Sequence, residues 1–113
     1  MGYYSTIEHS LKVKEGFIPA IRFAWSKIKE NPKSQPEFYL YFDDMEIKDD
    51  GTIQFDSDSY KRYHDDKFAD WIREYVEGEL HFQGEDGEEW GYLFKDGKHS
   101  KLKCVKEWVE LME

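Results

Sequence analysis

The most informative pattern in this sequence lies in GELHFQGEDGEEWGYLFKDGK, residues 78–98. Apolar and polar residues alternate on both sides of its acidic centre, which is the period-two pattern of a β-hairpin. The apolar side chains of the two halves share one face only if Phe82 opposes Trp90, because a one-residue slip would turn one half outward. That register leaves Glu85-Asp86-Gly87 at the tip. Such a turn ends in a left-handed residue, for which glycine has no side-chain penalty.

The same reasoning predicts another hairpin earlier in the chain. Ile47 must oppose Ile53 if the neighbouring apolar residues are to share one face. The tip is then Asp49-Asp50-Gly51, a second three-residue turn with aspartate before glycine. The segment Phe38–Phe42 is apolar or aromatic on both faces, and we expect it to lead into this hairpin as a strand.

A third turn of the same type is predicted at Lys95-Asp96-Gly97. With three residues in the turn, Trp90 would oppose Leu102, and both side chains would lie on the core face of the sheet. The final strand would then run on toward Trp108. The chain after the second helix is therefore predicted to be a β-meander.

A first strand and two helices complete the pattern. Residues 3–13 alternate with period two, whereas residues 17–28 and 68–76 carry apolar residues at helical spacing. Gly78 follows the second helix and is expected to end it. We therefore predict a single α+β domain over residues 1–113, in the order β-α-β-β-α-β-β-β.

This order begins like the ferredoxin-like βαββαβ arrangement and ends in the C-terminal β-meander. We expect an antiparallel sheet with two helices packed on one face. An independent β-meander joined to a helical half is the competing architecture.

The composition favours a cytoplasmic protein. The chain has 113 residues, of which 36% are charged, and no apolar run approaches the ~18 residues of a membrane span. The N-terminus lacks the basic region and apolar core of a secretion signal. Cys104 is the single cysteine, so no internal disulfide forms, as is usual in a reducing compartment.

Charge is distributed unevenly along the chain. The formal net charge is −9, and residues 37–89 hold 18 acidic and 5 basic side chains, whereas both flanking segments are slightly basic. A solvated face that keeps an aromatic-rich protein in solution is the simpler explanation. The functional interpretation is a carboxylate array directed at a basic partner, which would act as a nucleic-acid mimic.

No motif predicts a cofactor, and we expect no metal site. Asp56 and Asp58 begin like a calcium loop, but Lys61 and Lys67 stand where its glycine and bidentate glutamate belong. None of the four histidines has a second ligand at a metal-binding spacing. A nucleophile pair of Cys104 with a histidine on an adjoining strand is a catalytic arrangement that the sequence leaves open.

Tyrosines on a half-covered sheet suggest either base stacking or a protein interface. Tyr4, Tyr39 and Tyr41 would form a platform like that of RNA-recognition domains. The neighbouring acidic residues would repel a phosphate backbone, and tyrosine is also favoured at protein interfaces. We therefore expect no direct nucleic-acid binding.

The segments EGELHFQGEDGEEWGYLFKDGK, residues 77–98, and FYLYFDDMEIKDDGTIQF, residues 38–55, resemble segments of small acidic proteins encoded by phages and prophage regions of bacteria. The resemblance carries over no active-site residues. It implies the cytoplasm of a bacterial host, where such proteins are often inhibitors of host enzymes or of nucleic-acid-targeting defence systems.

These observations predict a non-enzymatic inhibitor that blocks a basic, nucleic-acid-binding surface of a host or defence protein. Carboxylates of both hairpins would steer the association and tyrosines would anchor it. The expected contact residues are Asp43, Asp44, Glu46, Asp49, Asp50, Glu85, Asp86, Glu88, Glu89, Tyr39 and Tyr41. The alternatives are a small enzyme or ligand-binding domain with a pocket between helices and sheet, and a structural protein that assembles through a sheet edge.

Overall fold

The computed structural model describes residues 4–56, 59–104 and 108–110 of an α+β protein. In chain order the elements are β1 (Tyr4–His9), β2 (Lys12–Val13), α1 (Ile18–Glu30), α2 (Tyr39–Phe42), β3 (Met45–Ile47), β4 (Ile53–Phe55), β5 (Ser59–Lys61), α3 (Asp65–Ile72), β6 (Val76–Gly84), β7 (Glu89–Lys95), β8 (Lys98–Cys104) and β9 (Trp108–Glu110). Six strands form a mainly antiparallel sheet in the order β5-β1-β6-β7-β8-β9, and β2 continues beside β6 where β1 ends. Strands β3 and β4 form a separate two-stranded sheet.

The first strand is interrupted where it passes Gly78. β1 and β2 pair with β6 in one continuous register. Between them the backbone comes so close that a Cβ on Gly78 would lie 2.4 Å from the carbonyl oxygen of Ser10, and Gly78 has a φ of +116°. Only glycine accepts both conditions without strain. The prediction that Gly78 ends the second helix is wrong, since α3 ends at Ile72 and Gly78 lies inside β6.

The predicted strand over Phe38–Phe42 is wrong, because most of this segment is the short helix α2. Phe38 and Phe42 are buried, whereas Leu40 is 64% exposed. A strand would place all three side chains on one face, while a helical turn groups residues i and i+4 and leaves i+2 outside. The core has room for Phe38 and Phe42 but not for Leu40, and a helical turn buries the first two while leaving the third exposed.

The first hairpin has the predicted register but a different position. Ile47 opposes Ile53, and Gly51 at the tip has a φ of +90°. This hairpin is not part of the large sheet; it touches the end of β2, where the Val13 N–H donates to the Gly51 carbonyl at 3.0 Å. The ferredoxin-like start is therefore not confirmed, because these strands pair with each other instead of joining the large sheet.

The sheet edges also differ from the prediction. The polar segment Ser59–Lys61, which belongs to none of the predicted strands, forms the edge strand β5 against β1. At the other edge the last strand does not run straight to Trp108. Strand β9 begins there and pairs back onto β8, with Trp108 opposite Cys104.

The second hairpin is confirmed, and the third turn is shorter than predicted. Phe82 opposes Trp90 as expected. Asp96 and Gly97 both have positive φ, +56° and +74°, which is the geometry of a two-residue turn that matches the twist of its strands. Leu102 consequently opposes Gly91 instead of Trp90. A one-residue shift exchanges the faces of a strand, so Leu102 lies on the side of the sheet away from the core.

The core is an aromatic cluster between the helices and one face of the sheet. The rings of Phe42 and Phe68 stack at 4.0 Å, and Phe42 meets Phe82 of β6 edge-on at 6.4 Å. Helix α1 adds the buried side chains of Ile21 and Trp25. The interior thus contains packed side chains at the place where a pocket between helices and sheet would lie.

One carboxylate connects α3 to the sheet. Asp65 accepts hydrogen bonds from the Tyr92 hydroxyl at 2.6 Å and from Nε1 of Trp90 at 2.9 Å. Burial, and secondarily the hydrogen bond to Asp65, raises the pKa of Tyr92 well above its ordinary value. These bonds hold β7, and with it the second hairpin, against the helix.

Candidate functional site

The face of the sheet opposite the core, called the outer face here, carries a row of acidic and polar side chains. Alternation along β1, β6 and β7 places most apolar side chains inward and these outward, together with Leu93, which opposes Glu79. Glu8 opposes His81, and Gln83 stands between Thr6 and Glu89. The outer face around this row consists of Thr6, Glu8, Glu79, His81, Gln83 and Glu89. A depression of about 80 Å³ is lined by all of these except Glu79, together with Phe82.

The turn of the second hairpin continues this acidic row. We call Glu85, Asp86, Glu88 and Glu89 the acidic tip. The Gly84 N–H donates to the Glu88 carbonyl at 2.7 Å, and the Glu88 N–H donates to the Asp86 carboxylate at 3.0 Å. These bonds fix the backbone of the turn, so its glutamates project from a rigid support. Glu89 belongs to both groups and joins the tip to the outer face.

The carboxylates of the first hairpin are used differently, because the protein neutralises most of them itself. Asp49 pairs with Arg22 of α1, and Glu46 lies 3.1 Å from Lys48. Asp50 accepts the Thr52 N–H at 2.9 Å, and this backbone hydrogen bond lowers the pKa of the carboxyl. The first hairpin therefore presents less free negative charge than its sequence indicates.

Asp44 is buried in a structural ion pair. Its two oxygens receive Nη1 and Nη2 of Arg62 at 2.6 and 2.9 Å. The side chain of Arg62 is 0% exposed and that of Asp44 is 12% exposed. The guanidinium also lies against the rings of Phe42 and Phe55, 5.3 and 5.2 Å from their centroids. Asp44 thus holds β5 to the first hairpin, and little of it is accessible to a partner.

The two hairpin tips lie at opposite ends of the molecule. Gly51 contacts Val13 at the end of β2, whereas the Glu85 N–H donates to the carbonyl of Tyr4 at the start of β1 at 3.0 Å. Residues 4–13 are extended at about 3.3 Å per residue, which places the tips about 30 Å apart. The structure therefore separates Asp49 and Asp50 at the tip of the first hairpin from the predicted contact residues at the tip of the second.

The two predicted tyrosine anchors lie on α2 and not on the sheet. The ring of Tyr39 packs 5.5 Å from that of Trp25, and Tyr41 meets Tyr63 edge-on at 5.0 Å. Burial, and then the negative charge of Asp43, raises the pKa of Tyr39. The predicted stacking platform on the sheet is not formed by these residues.

The described histidines lie in unrelated positions. Nδ1 of His9 accepts the Leu11 N–H at 3.0 Å, and burial lowers the pKa of this imidazole. Nε2 of His81 lies 2.8 Å from Glu79 on the outer face, and Nε2 of His99 lies 3.8 Å from Asp70. The side chain of Cys104, with Ser57 and Asp58 of the calcium-like segment, falls outside the described residues. Within residues 4–56 and 59–102, no group of three or more potential ligands is arranged to hold a metal ion.

Glu8 and Glu79 of the outer face were not among the predicted contact residues. The signal was present in the alternation, since Glu79 and His81 flank Leu80 in a strand whose other face is apolar. The contribution of Glu8 needed the pairing of β1 with β6, which joins residues more than seventy positions apart.

No protein-family model, curated protein or solved structure matches the chain. Among the helices of the described residues, none is long and apolar enough to cross a membrane.

Proposed function

We propose that this chain is a non-enzymatic binding protein whose acidic tip and outer face occupy a basic surface of another protein. The partner's surface would be one that ordinarily binds nucleic-acid phosphates, so the protein would inhibit by mimicry, in the manner expected of a phage-encoded inhibitor of a bacterial host or defence protein. The supporting observation is that Glu8, Glu85, Glu88 and Glu89 are exposed and form no ion pair with any described residue.

The contrast with the first hairpin strengthens this proposal. Asp44, Glu46 and Asp49 each have a cation of the same chain beside them. Some clustered acids in this protein are therefore paired with cations and not only with solvent. Glu85, Glu88 and Glu89 have no ion pair with a described residue and repel one another on a fixed turn, and a cationic surface relieves that repulsion when it binds. The acidic tip is therefore better suited to a partner than the tip of the first hairpin.

A charge-matched pair of variants tests the proposal. The first is Glu8→Gln/Glu85→Gln/Glu88→Gln/Glu89→Gln, which removes the unpaired acids. The control is Glu15→Gln/Glu30→Gln/Glu46→Gln/Asp49→Asn, which removes the same formal charge elsewhere. Each tagged protein, and the wild type, is used to capture proteins from nuclease-treated bacterial lysate at low and high salt, with and without excess duplex DNA.

Mimicry predicts a prey protein that the wild type and the control retain, that the first variant loses, and that DNA and salt both displace, because all compete for one cationic surface. Retention by the first variant equal to that by the wild type would contradict the assigned surface. Prey that excess DNA does not displace would contradict mimicry.

A further inference from the structure

A cavity of about 290 Å³ opens at the sheet edge, where β1 and β5 meet α2. Its lining, called the tyrosine pocket here, consists of Tyr4, Leu40, Tyr41, Tyr60 and Lys61. Tyr4 and Leu40 are exposed at its rim. The volume lies at the lower end of the range of ligand sites, which suits one large side chain.

The walls of the pocket favour a cation. Three of the five lining residues are tyrosines, whose ring faces carry partial negative charge. The Tyr60 hydroxyl donates to the Asp43 carboxylate at 3.2 Å. This carboxylate places a negative charge beside the ring of Tyr60, and burial, then the charge of Asp43, raises the pKa of Tyr60.

Cations of the same chain already lie against two of these rings. Nζ of Lys61 is 5.7 Å from the centroid of Tyr4, and the guanidinium carbon of Arg62 is 4.8 Å from the centroid of Tyr60. Arg62 is also charge-paired with Asp44 beneath the pocket, so it adds little net positive charge there. The local chemistry thus accommodates both an ammonium and a planar guanidinium.

The pocket adjoins the acidic tip. The Glu85 N–H donates to the Tyr4 carbonyl at 3.0 Å, so the first residue of the tip and the rim of the pocket are directly connected. A basic surface that meets the tip brings its cationic side chains to the pocket as well.

We propose that the tyrosine pocket receives an arginine side chain of the basic partner, as the anchor of the interface. This inference rests on the proposed function, because it needs a partner with a basic surface at the acidic tip. Arginine fits better than lysine, since its flat guanidinium is weakly hydrated and stacks on aromatic rings. The acidic tip then attracts the basic partner by charge, and the tyrosine pocket selects arginine over lysine.

Two peptides of equal charge separate these two contributions. Labelled nona-arginine and nona-lysine, both with capped ends, are titrated with the full-length protein, and the Kd is measured by fluorescence anisotropy. The wild type is expected to prefer nona-arginine by about fivefold, the effect of roughly 1 kcal/mol of stacking. Tyr41→Leu and Tyr4→Leu, each checked for folding by circular dichroism, are expected to lose that preference. Phe23→Leu, an exposed aromatic change on α1, is expected to keep it.

The outcomes distinguish the two proposals. Equal binding of both peptides by the wild type, or a preference that survives in both tyrosine variants, overturns the tyrosine pocket and leaves the proposed function standing. If the variant that lacks Glu8, Glu85, Glu88 and Glu89 binds both peptides as tightly as the wild type, the acidic surface itself is overturned.

Discussion

The β3–β4 and β6–β7 hairpins close with the same kind of turn, yet their carboxylates differ in whether they pair with cations of the same chain. Gly51 and Gly87 end the two turns with nearly the same φ, +90° and +88°. The first hairpin turns Asp44 inward to Arg62 and pairs Asp49 with Arg22. The second leaves its glutamates exposed and is held by Asp65, a residue outside the hairpin. Similar local sequences thus produce a structural element in one place and an available surface in the other.

The largest expected effect is at the buried ion pair. Asp44→Asn removes the negative charge that accepts two hydrogen bonds from the buried Arg62 guanidinium, and we expect the free energy of unfolding to fall by about 3–5 kcal/mol. Urea unfolding followed by tryptophan fluorescence measures the change. The double variant Asp44→Leu/Arg62→Met is expected to recover part of the loss, because it removes the buried cation together with its carboxylate. A loss below about 1 kcal/mol for Asp44→Asn would contradict a structural role.

The next effect is at the carboxylate that holds the second hairpin. Asp65→Ala removes the acceptor of Tyr92 and Trp90, both half or fully buried, and we expect a loss of about 2–3 kcal/mol in the free energy of unfolding. The same urea titration measures it. Asp66→Ala, next in the helix and exposed, is the control and should change stability by less than about 0.5 kcal/mol.

Tyr92 predicts a loss of stability in alkali. The pKa of Tyr92 in the folded protein is raised above the ordinary value of 10.0. The unfolded chain therefore releases the Tyr92 proton at a lower pH than the folded protein does. Tyr92 makes its full contribution to the free energy of unfolding below about pH 10, and that contribution is lost as the pH rises further. The slope for one such group is about 1.4 kcal/mol per pH unit. Unfolding between pH 9 and 11 is expected to show a smaller slope in Tyr92→Phe. An unchanged slope would assign the alkaline sensitivity to other groups.

The two turn glycines give a direct comparison of the hairpins. Alanine at either position is strained by the positive φ, at about 1–2 kcal/mol. A Cβ on Gly51 would also come 3.3 Å from Cδ1 of Ile18, whereas a Cβ on Gly87 meets nothing within 4 Å. We therefore expect Gly51→Ala to lower the melting temperature more than Gly87→Ala does. The reverse order would show that the second turn is the more constrained.

The smallest expected effect is at the acidic tip. Glu85→Gln/Glu88→Gln is expected to raise the free energy of unfolding by a few tenths of a kcal/mol at low salt, because it relieves repulsion between exposed charges. Asp49→Asn breaks an exposed pair and should lower it by less than about 1 kcal/mol. The two variants are expected to change the free energy of unfolding in opposite directions at low salt and by similar, smaller amounts at high salt. That result would support the difference in charge pairing between the two hairpins. A large destabilisation by the glutamine variant would mean that the tip serves the fold.

The registers of these two hairpins could be predicted because their determinants are local. Apolar alternation fixes which residues share a face, and a glycine with positive φ fixes where the turn ends. The third turn, Lys95-Asp96-Gly97, has the same Asp-Gly pair, but Asp96 also adopts positive φ, which shortens the turn by one residue. Nothing in the local sequence distinguishes the two lengths, and Leu102 changes face as a result.

The helix at Phe38–Phe42 and the use of the carboxylates depended on distant residues. Whether Leu40 is buried depends on the space left beside Phe68 and Trp25, which lie in other elements. Asp44 and Arg62 are 18 residues apart, and no spacing rule joins them. For the candidate site, the sequence indicated the acidic tip, whereas Glu8 and the tyrosine pocket required the pairing of β1 with β5 and β6.

The sequence alone was sufficient for the α+β class, the presence of two helices but not the bounds of the second, the two hairpin registers and the concentration of negative charge. These follow from periodicity and turn chemistry, which act over a few neighbouring residues. Tertiary structure decided which strands share a sheet, which carboxylates meet a cation and which remain exposed. Those outcomes depend on burial, and burial is settled by the competition of distant side chains for one core.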